Sequence, residues 1–281
     1  MTDPLSSWIG RREVVKDAVD PRSVAQMDAL LGGEGHWPAA GTPLPFGWHW
    51  MYFAPRAPQG RLGLDGHPQK GGFMPPVPLP QRMFAETKLR FGTALRVGQE
   101  IICTREITKI TEKNGLNGPL IFVELSEDVH VAGRLALREL RTILYRGAAS
   151  QSRAPLPGPV PEAPKSDWCR TIHPDPVALF RFSALTFNGH RIHYDRAYAV
   201  EAEHYPGLVV HGPFIALLLV NEGLQFCSEK TPLSFTCRAL APLFDDAPFD
   251  LAGKFREEEN VMDLWAVRED GVIAMTAILS F

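Results

Sequence analysis

The sequence predicts an α+β chain made of two similar units, and three observations carry that prediction. Residues 87–146 and 234–281 alternate apolar, often β-branched, residues with polar ones between turn residues, the pattern of antiparallel strands with one wet face. The most apolar helix candidate, Gly212 to about Phe226, lies just ahead of the second set. Between the sets, residues 153–166 place five prolines within ten positions, which can neither donate to a sheet nor continue a helix. A chain of 281 residues has room for two cores. The expected division is therefore an N-terminal degenerate half at 1–152, an extended, semi-rigid linker at 153–166 and a C-terminal half at 167–281.

Taken in order, residues 1 to about 55 read as an entry arm and helices. Ser23–Leu31 starts with a capping Ser, sets Val24, Met27, Leu30 and Leu31 at helical spacing, and stops at Gly32-Gly33. The aromatic run Phe46–Phe53 reads as core packing, since aromatic side chains contribute mostly buried area. Residues 54–80 are rich in Gly and Pro and read as a long surface loop. The spacing Gly60-x-x-Gly63-x-x-Gly66 is not a nucleotide-binding fingerprint, because no strand precedes it and the first two glycines stand too far apart. Strands follow at 88–91, 101–113, 120–131 and 135–146, with a turn at Asn114-Gly115. Beyond the linker the order repeats, with helix or loop material and then four strands. A duplicated α+β unit accounts for this, each sheet wrapping one central helix.

Composition narrows the partners. A net charge of −3 gives no general attraction to nucleic acid. No basic start followed by an apolar run opens the chain, so no signal peptide is expected, and the longest apolar run, Phe214–Val220, is too short to span a bilayer. Cys103, Cys169, Cys227 and Cys237 stand at scattered spacings, which reads as reduced thiols in the cytoplasm rather than a disulfide or zinc framework.

Polar density concentrates at 181–220, where His190, His193, His204 and His211 account for four of the nine histidines. Asn188, Arg191, Asp195 and a Gly212-Pro213 step stand among them. Imidazoles can deprotonate water near neutral pH, and the N–H groups at a helix start can receive an oxygen that becomes negative. His190 and His193 could face one metal, but no third ligand stands at suitable spacing, so no metal and no cofactor are expected. His204 and His211 read as structural. Ser183 and the cysteines lack a nucleophile elbow.

The segment S-A-L-T-F-N-G-H-R-I-H-Y-D, followed by Y-P-G-L-V-V-H-G-P, resembles the hydratase motif of the MaoC-like acyl-CoA hydratases, which have the hotdog fold. The chain as a whole resembles their double-hotdog branch, including the type 2 hydroxyacyl-thioester dehydratases and the mesaconyl-C4-CoA or itaconyl-CoA hydratases. The resemblance implies a double hotdog whose second half carries the motif. It places His193 on the family's catalytic His, Asp195 on the Asp two residues later and Gly212 on the oxyanion-hole Gly. Asn188 falls where many members have the catalytic Asp, and His190 where they have Asn. An amide can hold water but cannot exchange a proton. The resemblance thus implies hydration of an α,β-unsaturated acyl-CoA, with a C5 dicarboxylic substrate such as itaconyl-CoA or mesaconyl-C4-CoA giving citramalyl-CoA. Arg191 and Arg238 are candidates to bind CoA phosphates or the substrate carboxylate. Alternatives are a general (R)-3-hydroxyacyl-thioester dehydratase, a thioesterase and a non-catalytic acyl-CoA-binding protein. The expected partner is a CoA thioester, without nucleic acid or membrane, and a homodimer is an open option for assembly.

Overall fold

The computed structural model describes residues 5–115, 118–147 and 164–281. They fall into two compact units, Met1–Ala148 with Ala184–His190, and Ala149–Ser183 with Arg191–Phe281. Most of the expected linker, residues 153–163, lies outside the described residues.

The first unit holds strands β1 (Arg12–Ala18), β2 (Gln81–Phe91), β3 (Glu100–Gly115), β4 (Gly118–Val131) and β5 (Arg134–Arg146) and helix α1 (Pro21–Leu30). Its strands pair antiparallel in the order β1-β3-β4-β5-β2. On β4, buried and partly exposed residues alternate along almost the whole strand, the period of two that sets one face against a core. β1 was not expected. It carries four charged residues among seven and Val14 is exposed, so its sequence lacks an apolar face, and its place at the sheet edge explains why it needs none. Asn114 and Gly115 are ladder residues rather than a turn, pairing with Pro119 and Gly118. Helix α1 begins earlier than its periodicity suggests, because Asp20 is the cap. Its Oδ1 accepts from Ser23 N–H at 3.0 Å and Pro21 takes the first turn. No long helix packs on this sheet among the described residues. The aromatic run instead forms a short turn, Trp48–Met51, with Trp48, Met51, Tyr52 and Phe53 buried as expected.

A buried ionic network crosses this unit. Glu139 of β5 is 1 % exposed and accepts from Trp50 Nε1 (3.0 Å), Thr87 Oγ1 (2.5 Å), Arg141 Nε and Nη2 (2.9 Å each) and His49 Nε2 (3.2 Å). Arg141 also reaches Glu127 at 3.1 Å, and Arg105 pairs with Glu127 at 2.6 Å. Burial pushes the Glu139 carboxyl up, but Arg141 and His49 outweigh it and hold it well below the usual range. Cys103, buried beside Glu127, is pushed up to about 12 and is an inert thiol.

The second unit holds β6 (Trp168–Ile172), α2 (Pro176–Leu185), α3 (Gly212–Phe226), β7 (Ser234–Ala239), β8 (Phe249–Arg256), β9 (Val261–Arg268) and β10 (Ile273–Ser280). The last two residues of α2 group with the first unit. Its antiparallel order is β6-β8-β9-β10-β7. Substituting β6 for β1, β7 for β2 and so on gives the same order as in the first unit. The repeat is thus five strands long in each unit, one more than the sequence suggests. Helix α3 matches its expected bounds and packs against β7, β8, β9 and β10. It is apolar nearly all round, as a helix enclosed by a sheet must be. Gly223 brings it close. A Cβ there would stand 3.2–3.3 Å from Leu279, Leu264 and Met262. Among the described residues no helix is long and apolar enough to cross a membrane. Cys103, Cys227 and Cys237 are buried and Cys169 is exposed.

Candidate active site

The residues from Asn188 to Gly212 are organised locally by side chains that satisfy backbone groups. Asn188 Oδ1 accepts from the backbone N–H of His190 at 3.1 Å, an Asx turn that occupies the carbonyl side of the amide. Just before it, Phe187 holds a φ of +50°, which costs a bulky residue about 1–2 kcal/mol. Strain of this kind collects where a fold must aim particular groups.

In the second unit, Arg191–His193 form a short helical turn. His193 is 7 % exposed, and its Nδ1 lies 2.7 Å from the carbonyl oxygen of Val209. A carbonyl can only accept, so Nδ1 carries the proton and Nε2 carries the lone pair. The ring stacks on His211 with centroids 3.7 Å apart and planes at 21°. His211 is fully buried and is the cap residue of α3. Its Nε2 lies 2.8 Å from Ser183 Oγ, and Phe182 meets it edge-on. The stacked ring of His211, itself backed by Phe182, and a short hydrogen bond to Val209 thus hold the imidazole of His193 in one tautomer and one plane. His211 was expected to be structural, and it is the wall on which His193 rests.

Gly212 opens α3 with Pro213 in the first turn. The first N–H groups of a helix have no intrahelical acceptor, and the helix dipole adds partial positive charge there. The arrangement suits an oxygen that gains negative charge.

The two arginines sit in different settings. Arg191 Nε and Nη2 donate to Asp195 Oδ2 at 3.0 and 2.8 Å, and the guanidinium lies 4.2 Å from the Tyr198 ring centroid. Asp195 Oδ1 in turn accepts from Tyr198 N–H at 3.0 Å, and these partners hold its carboxyl below the usual range. Arg191 is engaged within its own loop, so a substrate carboxylate would have to displace Asp195. Arg238 is exposed on β7, on the opposite face from buried Phe235 and Cys237.

Among the described residues, the group of possible metal ligands that includes His190 is completed by Asp65 and His67 of the long loop, and one ligand atom from each of the three lies within 4.8 Å of the others. Burial and the nearby Arg82 lower His67 to about 4, although Asp65 pulls the other way. Asp65 and His67 stand more than a hundred residues before His190 in the chain, so local spacing does not connect them with it. The only local signal was the Gly-rich loop that carries them.

Comparison with known proteins places this geometry. Residues 47–245 match the family Hydroxyacyl-thioester dehydratase type 2. The chain is 46 % identical over 274 residues to mesaconyl-C(4)-CoA hydratase of Chloroflexus aurantiacus, covering 96 % of this chain and 95 % of the relative. Among solved structures, HtdX of Mycobacterium tuberculosis superposes with a TM-score of 0.66 at 19 % identity, covering 95 % of this chain and 98 % of the other. A second M. tuberculosis protein, described as a double hotdog, gives 0.57 at 14 % identity over 99 % and 97 % of the two chains. The fold is therefore the double hotdog expected from the motif, and the chain belongs to the hydroxyacyl-thioester dehydratase type 2 family.

Proposed function

We propose that this protein is a hydro-lyase that adds water to an α,β-unsaturated acyl-CoA, and that its substrate is a C5 dicarboxylic thioester. The observation that carries the chemistry is the fixed tautomer of His193, which donates from Nδ1 to the Val209 carbonyl and presents Nε2 as a base. In the proposed reaction Nε2 takes a proton from water as the hydroxyl bonds to the β-carbon. The π electrons move onto the thioester as an enolate, whose oxygen is received by the Gly212 N–H. The imidazolium then returns its proton to the α-carbon, which restores the thioester. Val209 accepts from Nδ1 throughout, so the imidazolium forms without turning the ring. Asn188, its Oδ1 engaged by His190 N–H, orients the water through the amide NH₂.

The near-full-length identity with a mesaconyl-C(4)-CoA hydratase supports the C5 substrate. Mesaconyl-C4-CoA fits the proposed chemistry directly, because its double bond is conjugated with the thioester carbonyl, and hydration gives citramalyl-CoA. Itaconyl-CoA, whose double bond lies one carbon further from the thioester, would need that bond moved into conjugation with the thioester before the same step could act on it. Arg191 holds the motif loop through Asp195, and Arg238, exposed on β7, is proposed to meet the CoA phosphates. A panel of enoyl-CoA thioesters, followed by loss of the conjugated double bond, tests the proposed function. Preference for mesaconyl-C4-CoA over crotonyl-CoA by more than about 10-fold in kcat/KM is expected, since a site built for a polar group discriminates against its absence. Equal turnover of crotonyl-CoA would assign the protein to general hydroxyacyl-thioester dehydration, and release of free thiol without hydration would make it a thioesterase.

A further inference from the structure

The loop Asp65–His67 and residue His190 form a compact group of carboxylate and imidazole side chains for which the hydration chemistry has no use. Asp65 Oδ2 lies 3.1 Å from His67 Nδ1, and Asp65 Oδ1 accepts from the His67 backbone N–H at 3.1 Å. The His67 and His190 rings stand 4.2 Å apart between centroids, tilted by 46°. The backbone is shaped for this approach. Gly66, between the first two residues, has a φ of +87°, which glycine adopts without steric cost. Gly189, immediately before His190, is so close that a Cβ would stand 2.7 Å from the Gly66 carbonyl oxygen. Two glycines are thus needed at the point where the three side chains converge.

From this geometry we propose that Asp65, His67 and His190 form a binding site for a late first-row divalent cation, of which zinc is the type. In a tetrahedral zinc site with bonds of about 2.0–2.2 Å, adjacent ligand atoms are about 3.3 Å apart. The Asp65–His67 separation of 3.1 Å already matches one edge of that tetrahedron. The ion takes the place of the proton shared by Oδ2 and Nδ1, and the imidazole stays neutral by carrying its proton on Nε2. His190 supplies the third ligand after a side-chain rotation, and water fills the fourth position. The backbone bond from His67 to Asp65 Oδ1 holds the carboxylate in register, the outer-shell support that metal sites use. Arg82, whose charge is felt by both Asp65 and His67, opposes a dication. The site should therefore bind more weakly than a closed structural zinc site. Its role is to tie the long loop to the segment carrying Asn188. The inference holds whether or not the protein hydrates acyl-CoA.

The test uses the full-length protein stripped with a chelator, dialysed, and titrated with ZnCl₂ by calorimetry and with CoCl₂ by absorption spectroscopy. Wild type should take up one ion per chain, and cobalt should give the intense visible bands of a tetrahedral site. His67→Asn and Asp65→Asn should each weaken binding by about 10-fold or more, while His193→Ala, outside the group, should bind as wild type does. Circular dichroism establishes that each variant is folded, and Asp65→Glu, which keeps the ligand type, provides a second variant if His67→Asn is not. Failure of wild type to bind either ion, or stoichiometric binding undiminished in folded His67→Asn and Asp65→Asn, would overturn the site. Loss of binding in these variants with enoyl-CoA turnover absent from wild type would leave the site standing and remove the proposed hydration.

Discussion

Replacing Glu139 by Gln should destabilise the protein strongly without touching the proposed chemistry. The carboxylate accepts from five donors in an almost fully buried position. A Gln side chain keeps one acceptor oxygen. With that oxygen at the Oε2 position, His49, Trp50 and Arg141 Nη2 remain satisfied. The new NH₂ then faces Thr87 Oγ1 and Arg141 Nε, and Arg141 keeps only Glu127 as a carboxylate partner. Breaking a buried ion pair by removing one partner costs about 3–5 kcal/mol. For a cooperative unit of this size that corresponds to a fall in Tm of about 6–20 °C. The sign of the pH effect follows from the depressed pKa. The ionised carboxylate contributes its full stability above the ordinary glutamate range near 4.3, and that stability is lost as pH falls through the depressed value. Wild type and variant should therefore differ most at neutral pH and converge in acid. Thermal denaturation across this pH range is the assay. A shift under about 2 °C at pH 7, or a gap that widens in acid, would refute the reasoning.

Gly189→Ala should destabilise by about 1–3 kcal/mol, because its Cβ would meet the Gly66 carbonyl oxygen at 2.7 Å; a denaturant midpoint equal to wild type would argue against the close approach. Asn188→Ala should lower kcat by about 10²-fold, whereas Asn188→Asp should stay active, because one carboxylate oxygen still accepts from His190 N–H and the other can hold the water by accepting from it; steady-state kinetics on both decides whether the amide donor itself is required. Gly223→Val should cost about 1–3 kcal/mol by pushing α3 off Leu264 and Leu279, measured by urea unfolding.

What the sequence made legible follows from what each element owes to its own residues. Helix α3 and strands β7 to β10 carry strong apolar periodicity because they form one core, and their bounds could be read within a few residues. Strands β1 and β6 could not. Both lie at a sheet edge with few buried residues, so pairing and not pattern makes them strands. The Trp168 ring of β6 is received by Gly253, where a Cβ would stand 2.7 Å away, and neither residue announces this by itself. Within the candidate site, the motif pointed to His193 and Gly212. The seating of His193 on His211, the pairing of Arg191 with Asp195 and the convergence of Asp65, His67 and His190 were not, because each depends on residues brought together by folding. The network around Glu139 was invisible for the same reason, its charges reading as the wet face of a strand.

The role of His193 is tested most directly by pH-dependent kinetics of hydration for wild type and His193→Ala with mesaconyl-C4-CoA. The tautomer fixed by Val209 predicts a wild-type kcat/KM that falls on the acid side as Nε2 takes up a proton. It also predicts a loss of about 10²–10⁴-fold in His193→Ala, with that acid limb gone and the fold intact by circular dichroism. Turnover in the folded variant close to wild type, with the acid limb unchanged, would contradict the assignment of His193 as the base.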